Sequence, residues 1–272
     1  MKDIITDLTD LKYLKWDKTR HSSGTAGSFL KSYDETGNIK KYYKLSDYVP
    51  GTGVVGHECI NEIIVQRLLS ILGIEHLEYR LIHALINIDD TEIETYLCES
   101  DDYKSRDESK IAFEDFYTLS KNTGETPLEM CKRLGWETHI YNMLITDYLI
   151  LNRDRHGANI EILRNRKNNT CRLAPLFDHG VSLMCRCHSD EEFASYDVME
   201  DKRVQAFIGT ANTTDNLSLI PTSYIKEFIK SHPFKDTDKS FIFEGLDDIV
   251  SKVFLQKAWE MISRRYDHLG NI

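Results

Sequence analysis

Two stretches decide how this chain is read: Asn152-Arg153-Asp154-Arg155-His156-Gly157-Ala158-Asn159-Ile160, and Leu173-Ala174-Pro175-Leu176-Phe177-Asp178-His179-Gly180. The first follows directly on an apolar helical pattern over Trp136–Leu151, in which Ile140, Met143, Leu144, Tyr148 and Leu151 share a face. It places an Asn five residues after an Asp. In the second, an apolar strand-like run ends in an Asp nineteen residues after that Asn, with a glycine two residues further on. Either motif alone is what a polar surface loop contains. In this order and at this spacing they supply a carboxylate, Asp154, to accept a hydroxyl proton, and two oxygen ligands, Asn159 and Asp178, for a hard cation. Phosphoryl transfer from a nucleotide needs these parts, because Mg²⁺ takes one or two protein carboxylates and fills its shell with phosphate oxygens.

Working upstream, Ser22-Ser23-Gly24-Thr25-Ala26-Gly27-Ser28 is a run of small residues. Such a loop lets backbone N–H groups approach phosphate oxygens, although a plain flexible hairpin has the same composition. Strand-like runs Ser28–Tyr33 and Ile39–Ser46 flank Asp34-Glu35-Thr36-Gly37-Asn38, which predicts a hairpin. Lys44 stands on the second run, seventeen residues after Gly27, with Lys40 and Lys41 as competing cations. A helix is predicted over Gly56–Leu72, where Ile60, Ile63, Ile64, Leu68 and Leu72 recur at three- and four-residue spacing and Gly73 ends the pattern. Near its start lies Asn61-Glu62. Glu62 is either the partner that orients a phosphate-binding strand lysine or a solvated helix-face charge beside Arg67.

Two more strands follow, Leu77–Ile88 and Glu92–Glu99, separated by Asp89-Asp90-Thr91. The segment Ser100–Lys110 carries seven charged residues in eleven and marks a lobe boundary, giving a β-rich unit over 1–100 and a helical unit over 101–272. Within the second unit, Ile111–Ser120, Pro127–Leu134, Ser223–Lys230 and Ser251–Tyr266 read as further helices. Ligands favour the cleft between two such units.

The 272 residues carry 34 Lys and Arg against 44 Asp and Glu, a net charge of −10. That balance argues against a direct nucleic-acid binder or a protein docked on anionic membrane. No apolar run approaches the roughly 18 residues of a membrane span. The N-terminal MKDIITDLTDLKYLKWDKTR lacks the apolar stretch of a secretory signal. The six scattered cysteines read as reduced thiols, so a cytoplasmic protein is expected. Cys185, Cys187 and His188 form a triplet without the second ligand pair that a zinc site needs.

Glycine loop, strand lysine, helix glutamate, Asp-x4-Asn and strand-end Asp, in that order, match the protein-kinase arrangement. The chain resembles the HipA-type serine/threonine kinases, bacterial toxins with an atypical kinase fold. It resembles phosphatidylinositol kinases over Asp154-Arg155-His156-x-x-Asn159 and Asp178-x-Gly180. The features that carry the resemblance are the Ser/Gly-rich loop, Tyr43-Lys44-Leu45, Asn61-Glu62, a hinge near Cys98–Asp101, Asn152–Asn159 and Leu173–Asp178, spread over residues 20–180. His179 stands where ordinary protein kinases have Phe.

The resemblance implies an α+β, protein-kinase-like two-lobed fold, with a small β-rich N-lobe holding one helix and a larger helical C-lobe. It implies ATP and Mg²⁺ as cofactors, Asp154 as catalytic base, and Asn159 and Asp178 as metal ligands. It places Lys44 on the phosphates with Glu62 as its partner, Ser23, Gly24, Thr25, Ala26, Gly27 and Ser28 over the nucleotide, and adenine against backbone near Glu99 and Asp101. The implied acceptor is Ser or Thr in a cytosolic protein such as a translation component. Self-phosphorylation in the loop is implied too, with Ser22 or Ser23 the first candidates. Relatives of this type carry a further N-terminal subdomain or receive it from a separate small protein, so an antitoxin or such a protein is an expected partner. A small-molecule or lipid kinase and a pseudokinase interaction module are the alternative readings.

Overall fold

The computed structural model describes residues 3–17 and 29–272. A five-stranded sheet, ordered β1-β6-β7-β3-β2, is built from β1 (Ile4–Asp10), β2 (Lys31–Asp34), β3 (Lys41–Leu45), β6 (Tyr79–Ile88) and β7 (Thr91–Asp101). β1 runs parallel to β6, and the other neighbours are antiparallel. The short pair β4 (Tyr48–Val49) and β5 (Gly53–Val54) leads into α1 (Glu58–Ile71). The β6–β7 turn is Asp89-Asp90, both with positive φ (50° and 63°), the backbone of a two-residue turn that follows the right-handed strand twist.

Period-two alternation lets the sheet bury both faces. Ile82, Ala84, Ile86 and Ile88 of β6 pack with Leu11, Leu14, Leu45 and Leu97 on one side. Tyr79 and Leu81 face the other way, into the main core against α1. That core continues through Ile63, Ile64 and Leu68 into Phe113, Leu144, Ile162, Phe254 and Ile262. Leu68 is fully buried, and truncating such a residue to Ala costs about 2–5 kcal/mol.

α1 is buried nearly all round, from Glu58 to Leu69. Its end is set by Gly73 at φ 60°, whose N–H bonds Ser70 O while Ile74 N–H bonds Leu69 O, the two-bond glycine stop. Most of its buried polar groups have partners, the Asn61 side-chain oxygen excepted. Gln66 exchanges two bonds with the Tyr79 backbone, and Arg67 grips Asp3 bidentately and donates to Ile242 O and Glu244 O.

The rest of the chain is mainly helical: α2 (Phe113–Ser120), α3 (Pro127–Arg133), α4 (Glu137–Leu149), α5 (Asp190–Ser195), α6 (Thr213–Asn216), α7 (Thr222–Ser231), α8 (Asp236–Phe243) and α9 (Lys252–Gly270). Three strands, β8 (Glu108–Ala112), β10 (Glu161–Asn165) and β11 (Cys171–Leu173), form a small sheet ordered β11-β10-β8. The helix expected from Ile111 therefore begins at Phe113, because Ile111 and Ala112 pair with Ile162 and Glu161 instead. A two-stranded parallel pair joins β9 (Asp154–Arg155) to β12 (Gln205–Ala206). No helix among the described residues is long and apolar enough to cross a membrane.

Candidate active site

Lys44 on β3 is the hinge of the site. Its ammonium donates to Glu62 Oε1 at 2.9 Å and to Asp178 Oδ1 at 2.6 Å. Burial works against its charge, but the Asp178 and Glu62 carboxylates outweigh it and hold its pKa well above the usual lysine value. Of the three candidate lysines, Lys44 alone is on Glu62: Lys40 pairs with Glu35 and Lys41 with Glu99. Glu62 has no exposed surface and is not a solvated helix charge. Its two oxygens also accept the backbone N–H groups of His179 (2.9 Å) and Gly180 (3.0 Å). Asn61, the residue before it, donates to Gly180 O and Ser182 O. One turn of α1 thus positions both the strand lysine and the segment that carries Asp178.

Asp178 has φ 58°, a left-handed backbone that a non-glycine residue adopts only when its surroundings enforce it. The enforcing contacts are the Glu62 bonds just after it and its own N–H on the Tyr79 hydroxyl at 3.2 Å. Gly180 is required by close approach: a Cβ there would sit 2.9 Å from Lys44 Nζ and 3.0 Å from Glu58 Cβ. Lys31 adds a second cation 3.9 Å from the other Asp178 oxygen, directly across β2–β3 from Lys44. It was not singled out in the sequence, where it is one lysine among many. Only the strand register puts it opposite Lys44.

Asp154 and Asn159 form the second group. The Asn159 side-chain amide donates to Asp154 O at 2.8 Å, closing the loop between them. His156 Nδ1 accepts the Ala158 N–H at 3.2 Å, and its Nε2 lies 3.7 Å from Asp154 Oδ1. The Asp154 side chain is 34% exposed, so the carboxylate is partly open to solvent. Arg155 points the other way and is 2% exposed. It grips Asp147 on α4 and donates to the carbonyls of both Asn159 (3.0 Å) and Phe177 (2.9 Å). A single guanidinium therefore ties the Asp154–Asn159 loop to the residue preceding Asp178. Sequence reasoning passed over Arg155 because its role depends on long-range partners.

A cavity of about 580 Å³ opens beside Lys44 and Asp178; Asp154 and Asn159 are not among its lining residues. Lys31, Lys44, Lys110 and Asp178 line it, together with Tyr42, Tyr79, Tyr103 and Phe177. Cations and flat rings in one cavity suit a ligand that carries both negative charge and a planar ring. Glu99 and Asp101 do not line it; Cys98 and Ser100 do. The Glu99 carboxylate is held by Lys41, Arg80 and the Tyr43 hydroxyl, and Asp101 by Arg80. The loop from Ser22 to Ser28, with every glycine-loop and self-phosphorylation candidate in it, lies outside the described residues.

Asp178 and Asn159 fit a magnesium ion by donor chemistry. One brings a carboxylate and the other an amide oxygen, both hard donors, and the Asn159 side-chain NH₂ donates to Asp154 O. No group of three or more His, Cys, Asp or Glu among the described residues is arranged to hold a metal. Cys185 is buried, with its thiol pushed up to about 11 by burial, and the His188 ring bonds Val55 O.

No protein-family model matches the sequence, and no curated protein sequence matches it. Solved structures do. The Helicobacter pylori proinflammatory kinase CtkA matches with a TM-score of 0.68 at 16% identity, covering 97% of this chain and 97% of that one. HipA of the Shewanella oneidensis MR-1 toxin–antitoxin system, solved with HipB and its operator DNA, matches with a TM-score of 0.49 at 13% identity, covering 94% of this chain and 68% of that one. The chain therefore has a kinase-like α+β fold, shared with CtkA over nearly its whole length.

Proposed function

We propose that this protein is a kinase that uses ATP and Mg²⁺ to phosphorylate a Ser or Thr hydroxyl of another protein and of itself. The observation that carries the reading is Lys44 held between Glu62 and Asp178 at the wall of the ring- and cation-lined cavity. Lys44 and Lys31 take the phosphates, Asp178 and Asn159 hold the metal, and the rings of the cavity receive the base. When bound, the metal ion neutralises charge developing on the phosphates. Asp154 accepts the proton of the attacking hydroxyl. Its exposure suits an acceptor presented on a macromolecule's surface better than a small molecule enclosed in a pocket. The choice of Ser or Thr, self-phosphorylation and any antitoxin-like partner rest on the sequence resemblance to HipA-type kinases.

The test is radiolabelled ATP incubated with the protein alone and with cell lysate, for wild type and Asp154→Asn. Label entering protein with wild type but not with the variant supports the reading. Label confined to small molecules overturns the protein acceptor, and no nucleotide binding overturns the kinase.

A further inference from the structure

Two thiols sit directly behind Lys44. Cys59, on the first turn of α1, donates its S–H to Lys44 O at 3.1 Å. Cys98, on β7, is paired across the strands with Lys44 and donates its S–H to Cys59 O at 3.1 Å. Both residues are 1% exposed, and Cys98, but not Cys59, is among the residues that line the cavity.

We propose that Cys59 and Cys98 are an oxidisable pair, joined into a disulfide by hydrogen peroxide entering through the cavity, and that this cross-link lowers nucleotide binding at the Lys44 site. The effect on binding rests on the kinase reading; the cross-link does not. The chemistry balances without another reagent. One thiol sulfur attacks peroxide, the O–O bond breaks, a sulfenic acid forms and water leaves. The second thiol attacks that sulfur, the S–S bond forms and a second water leaves. The sulfurs lose two electrons, and the peroxide oxygens gain them.

The environment sets the two thiols apart. Burial opposes ionisation of Cys59, but its bonds with Cys98 and Ser46 and the Lys44 charge bring its pKa below the usual thiol value. Burial and the neighbouring Cys59 push Cys98 well above that value. Cross-linking removes the S–H bond to Lys44 O and the S–H bond to Cys59 O together. It ties the helix that carries Glu62 to the strand residue opposite Lys44, so the lysine and its orienting carboxylate shift relative to each other. Displacing a positioned group by roughly an ångström costs about 10²-fold in activity.

The experiment treats reduced full-length protein with hydrogen peroxide, with and without Mg-ATP. It follows peptide mapping under non-reducing conditions, nucleotide affinity and phosphorylation. The expected result is a Cys59–Cys98 peptide pair that has lost two hydrogens, with activity falling alongside and returning with dithiothreitol. Bound Mg-ATP should slow the cross-link by filling the route to it. Cys59→Ser keeps a donor to Lys44 O and basal activity, and should resist peroxide. Absence of the Cys59–Cys98 pair overturns the proposal. So does a Cys59→Ser variant inactivated as fast as wild type, or a cross-linked protein that binds nucleotide as tightly as the reduced one. If reduced protein binds no nucleotide, the kinase reading fails while peptide mapping still decides the pair.

Discussion

Lys44 and Asp178 are 134 residues apart in the chain and meet at 2.6 Å. The contact joins the β-rich part to the segment after β11, and Glu62 completes it at 2.9 Å. Lys44→Met should leave Glu62 and Asp178 without their shared cation and abolish phosphoryl transfer. If Lys44 and Glu62 act as a unit, Lys44→Met combined with Glu62→Gln should cost little more than the worse single change. Activity assays of the four proteins check this, and additive losses would separate the pair.

Lys31 should matter for nucleotide affinity more than for the fold. Its side chain is about one-third exposed, so removing its charge leaves no buried hole. Lys31→Gln is expected to weaken ATP binding by about tenfold, or roughly 1.4 kcal/mol, with an unchanged melting temperature. Calorimetric titration at two salt concentrations measures it, and the difference from wild type should shrink as salt rises.

Asp154→Asn should keep nucleotide binding and lose about 10²–10⁴-fold in transfer rate, the usual worth of a positioned base. The substitution preserves shape and leaves the Asn159 bond to Asp154 O in place, because that bond is to backbone. Single-turnover phosphorylation with bound ATP separates the two effects.

Arg155→Met should destabilise the protein by about 3–5 kcal/mol, because the change leaves Asp147 as a buried charge without its cation. Replacing Asp147 as well by Leu should recover part of that loss. Urea unfolding of the three variants provides the measurement. Activity should stay low even in the double variant, since the link between Asn159 and Phe177 is gone.

Acid should loosen the fold below neutral pH through His57. It is buried between the Phe193 and Phe254 rings, and its Nε2 has no partner among the described residues. Burial, helped by His188, lowers its pKa from 6.5 to about 4. The unfolded chain binds a proton there at a pH where the folded one does not, so this contribution is intact above pH 6.5 and is lost as pH falls towards 4. The loss amounts to about 3 kcal/mol at most. Melting temperatures from pH 7 to 4.5 should fall, and the slope should flatten in His57→Leu.

Local chemistry made much of this protein legible in its residues. The periodicity of Gly56–Leu72 with Gly73 behind it predicts α1, and the glycine at φ 60° ends the helix where the pattern stops. The order of strand lysine, helix glutamate, Asp-x4-Asn and strand-end Asp pointed to a kinase-like fold, which the match to CtkA shows. Three matters needed the tertiary structure. Lys40, Lys41 and Lys44 are indistinguishable as a string, and only the register of β3 against β7 and the packing of α1 bring Lys44 to Glu62. Residues 108–112 follow no helix rule, because their hydrogen bonds go to a strand fifty residues away. Arg155 and Lys31 look like surface charges until burial and strand pairing place one between two carbonyls and the other beside Asp178. Periodicity and capping act over a few residues and can be read in one dimension. Charge pairing across the cleft is a property of distance in space, and the folded chain alone decides it.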